Sequence, residues 1–497
     1  MPQDDKQPNL FQNWISVIGG ILSSVWFSTI LVLFILDFRN KEPNPYLGVI
    51  TYMIAPFFLI ASLLLIPLGA SIERKQRVKR GHARKFPHID FNNPVHQKIA
   101  YVTIIVTTAF LLFSVVGSYR AYEFTESTTF CGKVCHQVMH PEFTTYQNSP
   151  HARVACIHCH IGPGVDWFVR SKLAGSYQVY SVLFKKYHRP IETPVQNLRP
   201  AQETCEKCHW PQQFFGAVEE NRQYFLSDEK NTEWRTRMLM LVGGSTPPYA
   251  KSGGIHWHMN INSKVYYVAT DEKRQTIPWI KVVRSNGKEE IFVDEDSKFS
   301  AGKPPEGEMR QMDCMDCHNR PSHNFKAPIV AVNEALAYGA IDKALPYIRR
   351  EAVKVLAAEY SSGEAAAAAI KEKIEKFYQK KYPDVWSGQR EAIAQAVRAT
   401  VQIYQTNMFP QMKASWKSYP DNIGHLMFPG CFRCHDDKHK SAEGKVLTKD
   451  CNTCHTIIEQ GPAAIVEKNT SGLPFRHPDE SEEGWKEMNC FECHSGS

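Results

Sequence analysis

The sequence predicts two structural classes in one chain. Three membrane-crossing helices come first, followed by a mainly α and irregular domain with a small β-hairpin insert and a helical segment. Three observations predict this. Three long apolar runs occupy the first 120 of 497 residues, although the chain as a whole is polar. All 14 cysteines fall after residue 130, in close pairs. A cysteine-free stretch over 329–408 repeats alanine and charged residues at helical spacing.

The apolar runs cover about Trp14 to Phe38, Leu47 to Ile72 and Ile99 to Val116. Each is long enough for a hydrocarbon core that takes about 20 helical residues to cross. The first lacks a strong basic start, is long for a signal-peptide core and has no small-residue cleavage site before Arg39, so an uncleaved anchor is expected. The formal net charge is only +7, and much of it sits in one stretch: Arg74, Lys75, Arg77, Lys79, Arg80, Arg84 and Lys85. The loop between the first two runs carries only Arg39 and Lys41. Basic residues stay on the cytoplasmic side, which predicts a three-pass protein of the bacterial inner membrane with a cytoplasmic N-terminus. Everything after Tyr119 is then periplasmic. Topology accounts for the basic cluster, and no nucleic-acid partner is expected.

A histidine follows the second cysteine of every pair. Six motifs read C-x-x-C-H: Cys156/Cys159/His160, Cys205/Cys208/His209, Cys314/Cys317/His318, Cys431/Cys434/His435, Cys451/Cys454/His455 and Cys490/Cys493/His494. This is the attachment signature of c-type haem. Two thiols on one side of a tight turn add across the vinyl groups, and the next histidine becomes the proximal iron ligand. The first motif, Cys131-Gly-Lys-Val-Cys135-His136, has one extra residue. Positions i and i+4 still share a helix face, which keeps two thioether bonds feasible. Zinc ribbons also use paired cysteines, but they do not demand a histidine directly after each pair. Disulfides would leave that histidine unexplained. Seven covalently bound haems c are therefore expected.

Low-spin haem iron takes a second axial ligand, commonly histidine. Of 20 histidines, seven are proximal and three, His82, His88 and His96, lie in or beside the basic loop. Ten remain. Among these, His151, His188, His256, His258, His323 and His425 stand in polar or turn-rich stretches near a motif and are the distal candidates. His256 and His258 flank Trp257, and on a strand both would point to one face. Sequence does not assign any histidine to a particular haem.

The polar part then reads as follows. Residues 1–120 are the anchor, and 121–210 carry haems 1–3. A β-hairpin insert and haem 4 occupy 211–325, with β-branched alternation at Val265-Tyr-Tyr-Val-Ala and Ile280-Lys-Val-Val-Arg before a Ser285-Asn-Gly turn. Residues 326–425 form a helical segment broken at Ser361-Ser-Gly and Tyr382-Pro. Haems 5–7 crowd 426–497 with little regular structure.

Residues 128–210 resemble the NapC/NirT family of membrane-anchored quinol dehydrogenases. The matching text is Cys131…Cys135-His136-Gln-Val-Met139-His-Pro-Glu142, then Ser149-Pro-His151-Ala-Arg-Val-Ala-Cys156-Ile-His-Cys159-His160, then Lys172-Leu-Ala-Gly-Ser176. The resemblance implies that Met139, shifted by one residue, is a distal candidate for haem 1. It also implies a quinol site at Lys172, whose acidic companion is replaced by Gln178. Three spans and seven motifs look like the inner-membrane heptahaem cytochrome of dissimilatory metal-reducing bacteria. What this resemblance implies is a mainly α and irregular multihaem cytochrome that oxidises menaquinol. It would draw on the menaquinone pool among membrane lipids and pass electrons to soluble periplasmic c-type cytochromes in anaerobic, metal-linked respiration. Two rivals stand beside it: an electron conduit fed by a separate quinol-oxidising subunit, and a multihaem nitrite- or hydroxylamine-type reductase.

Overall fold

Leucine, isoleucine, valine and phenylalanine fill three helices long and apolar enough to cross a membrane: α1 (Trp14–Arg39), α2 (Ala55–Arg80) and α3 (Pro94–Thr125). A computed structural model describes residues 9–39, 50–80, 90–134, 136–162, 164–195, 198–210, 214, 216–243, 253–259, 263–479 and 487–496. Helices α1 and α2 pack along their lengths. Small residues permit the approach, because a Cβ on Gly69 would stand 2.5 Å from the Ser16 hydroxyl. Ser16 instead donates to the Ile66 carbonyl at 2.8 Å. None of the side chains of α3 is buried, as suits a helix surrounded by lipid. Five of the seven basic loop residues close the last turns of α2, while Arg84 and Lys85 lie outside the described residues.

The chain divides into two compact units, Met1–Ser127 with Pro163–Val169, and Thr128–Gly162 with Arg170–Ser497. The second holds all seven motifs. Short helices carry its early part: α4 (His136–Gln147), α5 (Cys156–His160) and α7 (Ala201–Cys205), while α6 (Val165–Leu183) runs on from the first unit.

Two antiparallel sheets follow. The first is built from β1 (Val218–Phe225), β2 (Glu233–Met240), β8 (His455–Pro462) and β9 (Glu467–Leu473), in that order across the sheet. The second runs β6 (Arg310–Gln311), β3 (Ser263–Val268), β4 (Trp279–Arg284), β5 (Glu289–Asp294) and β7 (His439–Ser441). The expected hairpin is β4–β5, with Gly287 at a φ of 78° in its turn. It forms the middle of a larger sheet because β7, far downstream, pairs with its outer edge. Residues 431–494 are accordingly more regular than expected. Val265, Tyr267, Ile280, Val282 and Phe292 form the core of this sheet, and Cys434 of the fifth motif packs on it.

After α8 (Cys314–Cys317) the helical segment contains α9 (Pro328–Ala337), α10 (Ile348–Leu356), α11 (Gly363–Lys381), α12 (Pro383–Gly388) and α13 (Arg390–Asn407). The expected breaks fall where read. The Ser362 hydroxyl caps α11 by accepting from the Ala365 amide, and Pro383 opens α12. Leu345, Ile348, Leu356, Ile370, Ile374, Tyr378 and Ile393 are fully enclosed at its centre. The chain closes on α14 (Cys490–Cys493), tied down where the Trp416 indole donates to the Ser495 carbonyl at 3.3 Å.

Candidate haem-binding sites

Motifs 2 to 7 each sit on a single tight turn. In motifs 3, 4, 5 and 7 the histidine amide donates to the carbonyl of the first cysteine, at 2.8–3.1 Å. That bond closes one helical turn and leaves both thiols beside the histidine. Capping boxes start two of these turns, Asp313 with Asp316 and Asn489 with Glu492. The described part of the first motif lies on a π turn over Phe130–Val134. Cys135 lies outside the described residues, as does the His136 side chain.

Six of the seven proximal histidines face a second histidine. The ring centres of His160 and His323 are 6.2 Å apart, and those of His209 and His151 6.1 Å. His318 faces His256 at 6.4 Å, and His435 faces His258 at 6.0 Å. His455 faces His425 at 6.3 Å, and His494 faces His477 at 6.0 Å. A metal–imidazole bond is about 2 Å and the ring centre lies about 1 Å behind its nitrogen, so two rings sharing one ion stand roughly 6 Å apart. All six separations fit an iron between them.

The outer nitrogens also fit. Carbonyl oxygens stand at Nδ1 of His256 (Val242, 2.8 Å), His258 (Ile255, 2.9 Å) and His323 (Glu142, 2.9 Å). An acceptor there holds the proton on Nδ1 and leaves Nε2 for a metal. The Glu142 carboxylate is itself held by Arg320 at 3.1 Å. Burial pushes His258, His323, His425, His435, His455 and His494 below the ordinary histidine range. The neutral form is the one that ligates a metal.

Neighbouring motifs lie within electrostatic reach of one another in sequence order. Cys131 and Cys156 are close enough for each thiol to alter the other's ionisation, and so are Cys205 and Cys314. Cys159 is within electrostatic reach of Cys205 and Cys208, Cys317 of Cys431, Cys454 of Cys431, and Cys490 of Cys451. Motifs 4 and 5 are clasped through their middle residues. Arg433 donates to the Asp316 carbonyl at 2.6 Å, while the Asp316 carboxylate accepts from Tyr267 at 2.6 Å and Arg310 at 3.0 Å.

The remaining sequence candidates divide. His256 and His258 lie on a 3-10 turn, Ile255–Met259, rather than a strand. Two steps of that turn rotate a side chain by about 240°, which is why the two rings face different partners. His188 is exposed, with Nδ1 3.2 Å from Glu192, and among the described residues it faces no other histidine ring. His477 was absent from the candidates, although it is the only histidine between His455 and His494. His439 has both nitrogens engaged, with Asp436 and the Ile277 carbonyl, and so has none to offer iron. Met139 is half-buried on α4. Lys172 is close enough to Cys131 for its charge to favour the thiolate. Gln178 is exposed, six residues further along α6 and about 120° around it, so the two do not share a face.

Comparison with known families matches residues 94–198 to the N-terminal region of the NapC/NirT cytochrome c family. The chain is 41% identical over 484 residues to the cytochrome c-type protein ImcH of Geobacter sulfurreducens, covering 97% of this chain and 95% of that one. It is 31% identical over 78 residues to the cytochrome c-type protein NrfH of Wolinella succinogenes, covering 15% and 44% respectively. No solved structure matches. With three membrane-length helices and paired-cysteine turns behind these matches, the chain belongs to the NapC/NirT cytochrome c family, as an inner-membrane electron-transfer protein carrying covalent haem c.

Proposed function

We propose that this protein oxidises menaquinol and passes the electrons through seven haems to soluble periplasmic cytochromes, in respiration on an external, metal-type acceptor. The six histidine pairs carry the reading. Two imidazoles held to each of six bound irons would leave no open coordination position there, which suits electron transfer and disfavours a reductase that must bind substrate at iron. In this reading His323, His151, His256, His258, His425 and His477 are the distal ligands of haems 2 to 7, and Met139 serves haem 1.

Bound haem iron supplies reversible one-electron chemistry. Menaquinol gives up two electrons and two protons. The Lys172 ammonium holds a quinol oxygen by a charge-assisted hydrogen bond and favours its ionised form. Gln178 can donate or accept a hydrogen bond but cannot take a proton, so the protons leave to water or to another base. The first motif begins six residues after the end of α3 in the chain. The basic end of α2 supports a cytoplasmic N-terminus and a periplasmic haem domain.

Because Gln178 and Lys172 occupy different faces of α6, the conduit reading, with quinol oxidised on a separate subunit, stays a specific rival. Lys172→Met separates the two. The variant should retain its haems and full reduction by dithionite while losing at least tenfold in the rate of reduction by a menaquinol analogue. An unchanged rate removes the Lys172 site.

A further inference from the structure

Beside the seventh motif lies a cavity of about 570 Å³, within the size range of cofactor pockets, roughly 300–1,000 Å³. Cys493 and His494 line it together with Arg349, Arg350 and Lys354 of α10. The two arginines stand in the first turn of α10, where the helix dipole favours anions and disfavours cations. Arg350 is accounted for: it pairs with Glu351 at 2.8 Å and stacks 3.9 Å over the Tyr347 ring.

Arg349 is different. It is half-buried, and its hydrogen-bond partners are neutral, the Ser227 hydroxyl and the Asn333 carbonyl oxygen. Among the described residues neither Arg349 nor Lys354 has a carboxylate partner. A cation withdrawn from water without a counter-charge is costly. Here the cost falls beside a turn shaped to attach a haem, whose edge carries two propionate carboxylates. Arg349 is also near enough to His494 to act on it electrostatically.

We propose that Arg349 and Lys354 form a binding site for the propionate carboxylates of the haem attached at Cys490 and Cys493, with the α10 N-terminus adding its dipole. This rests on the reading of that motif as a haem site. The cationic wall offsets the extra negative charge of the reduced haem and raises its potential. Haem 7 is then a low-energy destination for electrons, held against the helical segment.

The test uses full-length, haem-loaded protein in detergent. Haem content is measured by pyridine haemochrome, and potentials by optical redox titration, for Arg349→Gln, Lys354→Gln and the conservative Arg349→Lys. Lys354 is exposed, so its variant does not depend on repacking. Seven haems should remain, and one seventh of the titration amplitude should move to lower potential in both glutamine variants. Arg349→Lys should stay near the parent. Glutamine variants with seven haems and superimposable titrations overturn the proposal, and so does a parent potential that moves with added inorganic phosphate, which would mark a free-anion site. A parent chain with six haems and reactive Cys490 and Cys493 thiols sinks instead the haem reading on which the proposal rests.

Discussion

At the scale of one residue, His477 carries the proposed ligation of the seventh haem. Its Nδ1 faces the Asp479 carbonyl two residues on, and its ring faces His494 at 6.0 Å. Thioether sulfur in place of imidazole raises a haem potential. His477→Met should therefore shift one haem of seven to higher potential in a redox titration, and an unchanged titration with full haem content would remove His477 from the ligand set. His439 is a structural counterpart. Burial works against its charged form, but the hydrogen bond to Asp436 at 2.9 Å, the Asp436 charge and the Ile277 carbonyl together outweigh this and leave the group raised above its ordinary value. A raised folded-state value means that its stabilisation is complete below the unfolded value of about 6.5 and fades as pH rises through the folded one. The stability difference between the parent and His439→Gln should thus be larger at pH 6 than at pH 8.5 in thermal melts, with the substitution costing about 1–2 kcal/mol at the lower pH. The proximal histidines were legible because covalent attachment fixes their spacing. Five of the six histidines that face them were legible as candidates, but the pairing was not, since His323 reaches His160 from 163 positions away and only the fold brings them together.

At the scale of elements, the turns that carry the motifs depend on local backbone geometry. Gly430 precedes Cys431 with a φ of 50°, and a Cβ there would run into the Gly424 carbonyl. That same carbonyl accepts from the Cys431 amide at 3.0 Å, so the loop cannot simply move away. Gly430→Ala should cost about 1–3 kcal/mol or more and lower occupancy of the fifth haem, read by haem content and thermal melts. A variant with parental stability and seven haems would contradict this account of the turn. The membrane helices, the breaks at Ser362 and Pro383, and the β4–β5 hairpin could all be read from sequence, because each rests on a local pattern. Strand β1, Val-Glu-Glu-Asn-Arg-Gln-Tyr-Phe, could not: it is largely exposed at a sheet edge and shows no apolar alternation. Strand β8 was missed for a related reason, because its partner β2 lies more than 200 residues upstream.

Across the whole molecule, the seven motifs follow one another in space as they do in sequence, each near the next through its cysteines. Sheets and helices serve this order. β2 and β8 bring the segment of the sixth motif back beside the insert that follows the third, and the clasp between Asp316 and Arg433 joins the fourth to the fifth. On the proposed reading electrons enter at the first motif, and Lys172 stands near that motif's first cysteine. The most direct measurement is anaerobic stopped-flow mixing of the purified, haem-loaded protein with a menaquinol analogue, followed in the haem bands. Rapid reduction without any other subunit is the predicted result. Haems that stay oxidised with quinol yet reduce with dithionite would contradict the quinol-oxidising function.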